Sequence, residues 1–127
     1  VDHNRVSLLT SVMDKVWGKN ICGHDIFINV TGGIKVDEPA VDLGVVSAIL
    51  SSFLDRPIDP HTIVLGEVGL TGEIRRVAQI EERVKEAARM GFNRCILPRG
   101  QKDVMPSSQK IKLFPISNLK QLMEHLF

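Results

Sequence analysis

Tyrosine is absent from this 127-residue chain, tryptophan occurs once, and aromatics make up 5% of it. So few flat rings argue against a stacking platform for unpaired nucleobases, which needs aromatic faces in series. Cysteine is almost as scarce: Cys22 and Cys95 lie far apart and form no CxxC pair. That excludes a structural zinc site and a dense disulfide framework, and it favours a reduced, cytoplasmic setting. No apolar run reaches the roughly eighteen residues of a membrane span, and no signal-peptide pattern is present, so the chain reads as soluble with no membrane contact. His3, His24, His61 and His125 are scattered singly, without the His-x-x-x-His spacing of a helical metal site, and no metal is expected. Gly18-Lys19-Asn20 lacks both the upstream glycine and the following Ser/Thr of a Walker loop, so it cradles no nucleotide phosphate. The first residue is Val1 rather than Met, which suggests a piece of a longer protein.

What is present fits a single globular domain spanning residues 1–127. Apolar residues make up 43% and charged residues 24%, enough to bury a core without staples. The net charge of +1 names no partner, but its distribution is uneven. Residues 1–74 hold five basic and ten acidic side chains, whereas residues 75–112 hold ten basic and four acidic. Such asymmetry hints at polyanion contact, although a solvated face laced with local ion pairs explains most runs of this kind.

Periodicity places the elements. Val6, Leu8, Leu9, Val12, Met13 and Val16 make the broad apolar stripe of a helix from Asn4 to Trp17, stopped by Gly18. Asp25–Val30 and Ile34–Val36 alternate like the strands of a hairpin, with Thr31-Gly32-Gly33 as the turn. Pro39 opens a helix from Ala40 to Leu54 that is apolar nearly all round and therefore central. Thr62–Leu65 reads as a strand, Gly66, Gly69 and Gly72 as a tight return, and Glu73–Val77 as a strand pairing back. A helix over Gln79–Met90, a strand over Arg94–Leu97, a polar loop over 99–110, a strand over Ile111–Phe114 and a helix over Asn118–Phe127 complete the chain. The mixture predicts an α+β fold with one sheet and helices packed on it. Ser47, Ser51 and Ser52 read as small packing residues of the central helix.

Two segments carry more specific information. One is Asp37-Glu38-Pro39-Ala40-Val41-Asp42-Leu43, and the other runs from Gly66-Glu67-Val68-Gly69-Leu70-Thr71-Gly72 through Glu73-Ile74-Arg75-Arg76-Val77 into the Gln79–Ala88 helix. With the closing Ile96-Leu97-Pro98 they resemble the proteolytic domain of Lon-type proteases. In that family a serine follows Asp-Gly-Pro and a lysine opens the later helix, because a serine hydroxyl attacks only when a neighbouring neutral amine takes its proton. Here the serine position is Ala40, the lysine position is Glu81, and the glycine two places after the nucleophile is Asp42. Losing even one member of such a unit costs on the order of 10⁴-fold in rate, so no catalytic dyad is expected.

The opening Asp2-His3-Asn4-Arg5-Val6 and the same two segments resemble a narrower group, the C-terminal Lon-like domain of the RadA (Sms) family of bacterial DNA repair proteins, over nearly the whole chain. The resemblance implies a Lon-like fold related to domain two of ribosomal protein S five. It also implies a non-proteolytic scaffold within a hexameric, DNA-dependent ATPase that migrates branches during homologous recombination. Single-stranded or branched DNA, further copies of the chain and a recombinase are the implied partners. ATP, magnesium and zinc are implied only for a RecA-like core and a zinc finger that this chain does not contain. The candidates for phosphate contact are Arg75, Arg76, Arg83, Lys85, Arg89, Arg99 and Lys102, with Arg75 and Arg76 first because no acidic residue follows them until Glu81. The alternatives are a ring-forming domain without DNA contact, and a peptidase that uses another nucleophile such as Ser47.

Overall fold

A computed structural model describes residues 3–21, 38–104 and 110–127. The hairpin expected over Asp25–Val36 lies outside the described residues, as does Cys22. Helix α1 spans His3–Trp17; a 3₁₀ turn over Pro39–Val41 then leads into helix α2, Asp42–Leu54. Strands β1 (Thr62–Val64), β2 (Glu67–Val68) and β3 (Ile74–Arg75) precede helix α3, Ile80–Arg89. Strand β4 (Arg94–Pro98), a 3₁₀ turn over Arg99–Val104, strand β5 (Lys112–Ile116), a 3₁₀ turn over Leu119–Leu122 and the short helix α4 (Met123–Leu126) follow.

The fold is α+β, as expected, but the described strands form two sheets rather than one. β1, β4 and β5 make a parallel sheet in the order β1-β4-β5, with Ile63 opposite Cys95 and Ile96 opposite Phe114. β2 and β3 form a separate antiparallel pair. Adjacent parallel strands need a crossover, and α3 supplies it between β1 and β4. β4 is the central strand and is buried from Cys95 to Pro98. Ile96 faces the cluster built by Leu9, Met13, Leu43, Val46 and Ile49 of α1 and α2, while Cys95 and Leu97 face Ile80, Val84 and Ala87 of α3. Covering both faces is what a parallel sheet requires. Burial pushes the Cys95 thiol up to about 12, which leaves it a packing residue.

Two boundaries moved for physical reasons. β5 continues through Pro115, past the break expected at Phe114, because it is an edge strand and its outward-facing positions need no amide hydrogen. The polar segment after Arg99 winds into a 3₁₀ turn because Gln101 turns inward: its Nε2 donates to Val77 O at 2.7 Å and its Oε1 accepts from Val77 N at 2.9 Å. The pattern did not show that clamp, since its halves lie 24 residues apart.

The glycine-punctuated return is the β2–β3 hairpin. Gly69 N donates to Glu73 O at 2.9 Å, and Gly72 N donates to Gly69 O at 3.0 Å. Gly72 has a φ of +84°, and a Cβ there would lie 2.7 Å from Val16 Cγ2, so only glycine lets the hairpin approach α1. The Glu73 carboxylate folds back over the turn, accepting from Thr71 Oγ1 at 2.8 Å, Thr71 N at 3.1 Å and Arg75 Nη2 at 3.1 Å. Those donors, the Thr71 hydroxyl foremost, lower its pKa to about 2. A lowered folded pKa gives stability that is complete above the unfolded carboxyl value of about 4.3 and fades as pH falls toward the folded value. A Cβ at Gly69 would sit 2.1 Å from this carboxylate. Gly69→Ala is therefore expected to displace Glu73 and return its titration, followed by carboxyl NMR, to about 4 or above. Titration that stayed near 2 in the variant would contradict the fold-back.

Candidate functional site

The Lon-like dyad positions fall on the α3 side of the sheet. Ala40 is 3% exposed and packs in the same cluster as Leu65, Ile80 and Val84. Its carbonyl accepts from Gly66 N at 3.1 Å, which ties the 3₁₀ turn to the end of β1. Glu38, just before that turn, pairs with Arg83 of α3. The turn is thus braced against the first half of α3, where Glu81 sits half-buried, one residue beyond Ile80. Among the described residues the Glu81 carboxylate has no hydrogen bond or ion pair. The methyl group of Ala40 is no nucleophile, and no serine hydroxyl or lysine amine stands at either position. Ser47 is 1% exposed, and its hydroxyl donates to Leu43 O at 2.7 Å within α2, so its proton is committed to the helix. Lys85 is exposed on α3.

Asp42, the third departure from the protease pattern, has a task of its own. It opens α2 and is 2% exposed. Its carboxylate accepts from Arg5 Nε at 3.0 Å, from Arg5 Nη2 and from Val68 N at 3.0 Å. The position suits a carboxylate, since the N-terminus of a helix carries partial positive charge. Arg5, hydrogen-bonded to Asp42 and half-buried, has its pKa raised above the usual arginine value and stays charged. This forked bond joins α1, α2 and β2, which no local pattern could signal because Arg5 and Asp42 are 37 residues apart.

The seven basic candidates sort by whether their charge is already engaged. Arg83 is held by Glu38 and donates from Nε to Ala78 O at 2.8 Å. Arg99 donates to Ser117 Oγ at 3.1 Å and to Pro115 O at 3.2 Å. Both act chiefly on the fold. Arg75 and Arg89 make exposed pairs with Glu73 at 3.1 Å and Glu86 at 3.0 Å, which hold them only weakly. Glu73 precedes Arg75 by two residues, on the side opposite to the stretch that holds no acidic residue before Glu81. Arg76, Lys85 and Lys102 are exposed and have no ion pair among the described residues. Arg76 precedes Val77 and Lys102 follows Gln101, so the Val77–Gln101 clamp ties together the two segments that carry these cations. Arg94, also basic, is spent on Thr62, the His125 carbonyl and the Phe114 ring.

Among the described residues no cluster of three or more His, Cys, Asp or Glu could hold a metal ion. None of the described helices is long and apolar enough to cross a membrane.

Comparison with known proteins adds to this geometry. The family model described as subunit ChlI of Mg-chelatase matches residues 6–101. The chain is 46% identical over 123 residues to the DNA repair protein RadA of Bacillus subtilis, covering 97% of this chain and 27% of that protein. It is 44% identical over 119 residues to the DNA repair protein RadA of Synechocystis sp., covering 94% and 23%. It is 41% identical over 127 residues to the DNA repair protein RadA of Streptococcus pyogenes serotype M3, covering 100% and 28%. The chain therefore spans about a quarter of the length of these relatives.

Two outcomes are expected. Arg5→Ala strands a buried carboxylate and should cost on the order of 3 kcal/mol in urea unfolding, and Arg5→Lys, which cannot fork, should recover only part of it. Ala40→Ser combined with Glu81→Lys should leave labelled casein uncut, because Asp42 remains bound to Arg5; efficient cleavage would contradict this.

Proposed function

This chain belongs to the family described as subunit ChlI of Mg-chelatase and is homologous to part of the RadA DNA repair proteins, and from that premise we propose that it is a non-proteolytic scaffold and DNA-contacting domain. In this reading its parent is a RadA-type hexameric ATPase that acts in homologous recombination and DNA repair by branch migration. The domain has a Lon-like fold, supports a cytoplasmic ring of such chains and works beside a recombinase. ATP, magnesium and zinc belong to other parts of the parent. Ala40 and Glu81 are vestiges of a Ser-Lys dyad, a reading supported by the lack of a hydroxyl and an amine at those positions.

One observation carries the DNA contact. Arg76 and Lys102, exposed and unpaired among the described residues, each adjoin a residue of the Val77–Gln101 clamp, and a polyanion could take up either cation without breaking an ion pair. Contacts of this kind release counterions and give affinity that is sequence-independent and salt-dependent. Lys85, Arg75 and Arg89 extend the set, whereas Arg83 and Arg99 contribute through the fold. A pure oligomerisation domain would need no such free cations.

The test uses the full parent protein with Arg76→Glu and Lys102→Glu, titrated by anisotropy against single-stranded and branched DNA over a salt series. Loss of two phosphate contacts should flatten the slope of log K against log salt by about 1.4 to 1.8. Arg83→Gln should lower thermal stability and leave that slope alone. An unchanged slope in the charge-reversed protein would sink the DNA contact and favour the oligomerisation reading.

A further inference from the structure

Two large hydrophobic side chains stand far out of the described surface, Leu70 at 63% exposure and Met90 at 70%, well beyond Leu8 at 38%. Each lies in a groove. Leu70, at the tip of the β2–β3 hairpin, forms one wall of a groove of about 460 Å³; the C-terminal end of α1 and the chain around Leu119 form the others. The charged side chains in it are Lys15 and Lys120, and no carboxylate lines it. Met90, at the end of α3, closes a groove of about 420 Å³ with Ile63, Leu65 and Phe92 among its apolar lining and Glu82 and Glu86 from α3. Arg83 also lines this second groove, but Glu38 and the Ala78 carbonyl hold its guanidinium. Glu86 has Arg89 beside it at 3.0 Å, an exposed pair of little strength.

A single exposed leucine needs no explanation. Two open apolar anchors in grooves of opposite charge on one chain do, because each supplies what the other lacks. We infer that copies of this chain associate head to tail, the Leu70 hairpin and its two lysines on one copy meeting the Met90 groove and its glutamates on the next. The hairpin is already set for this role: Glu73 staples its turn and Gly72 seats it against α1, so little ordering is lost on contact. Each copy offers both surfaces and uses each once, so the contact is heterologous and closes into a ring when the rotation between copies permits. The inference rests on the reading that the chain self-associates and deepens it by naming the two surfaces. Arg76 and Lys102 line neither groove.

Sedimentation velocity at rising protein concentration and low salt tests it with two variants, Lys15→Glu with Lys120→Glu, and Glu82→Lys with Glu86→Lys. The unmodified chain should associate, and each variant alone should associate at least about tenfold more weakly, since like charges then face each other. An equimolar mixture should regain association, because the reversed hairpin face of the first variant matches the reversed groove of the second, and their intact faces match each other. Leu70→Ser, at an exposed tip, should weaken association without lowering the melting temperature. A mixture that fails to regain association, or variants that associate as well as the parent sequence, would overturn the two surfaces while leaving self-association standing. An unmodified chain that stays monomeric would overturn both.

Discussion

The forked bond between Arg5 and Asp42 is the constraint around which the described structure is arranged. A carboxylate that is 2% exposed is tolerable only when its lone pairs are filled, and here two guanidinium hydrogens and the Val68 amide fill them. Those three donors come from α1 and β2, while the carboxylate opens α2. The bond therefore fixes the angle at which two helices meet and seats the hairpin against them. Packing follows from that placement: Leu9, Met13, Leu43 and Val46 cover one face of the parallel sheet, and Ile96 completes the cluster from β4.

The other face of the sheet carries Ala40 and helix α3, on which Glu81 lies. Ala40 is a packing residue there, and its neighbourhood is braced by Glu38 on Arg83 and by the Ala40 carbonyl on Gly66. The polar groups nearby are engaged in holding elements together, as the Ser47 hydroxyl is within its own helix. Those polar atoms serve rigidity, and the exposed cations and the side chains of Leu70 and Met90 lie on the outside.

Charge alone does not identify a contact residue. Seven basic side chains look alike in the sequence, yet Arg83 and Arg99 are bound to carbonyls and neighbouring side chains, while Arg76 and Lys102 make no ion pair among the described residues. A guanidinium already satisfied by fixed protein acceptors loses those bonds when it turns to a phosphate. A free lysine loses only water. The same reasoning separates Lys15 and Lys120, which face an apolar groove without any opposing carboxylate, from Arg94, which is locked between strands.

The sequence by itself determined what depends on near neighbours. Helical spacing placed α1, α2 and α3 within a few residues, because one apolar face repeating every three or four positions has few other ways to be buried. The glycines at 66, 69 and 72 marked the hairpin, and Ala40, Asp42 and Glu81 are where the chain departs from the Lon-like pattern that it resembles. Tertiary structure alone decided what depends on distant partners. Arg5 finds Asp42 across 37 residues, Gln101 clamps Val77 across 24, and the edge position of β5 lets Pro115 remain in a strand. None of these leaves a local trace, since a hydrogen bond selects the atoms that meet in space and is indifferent to the length of chain between them.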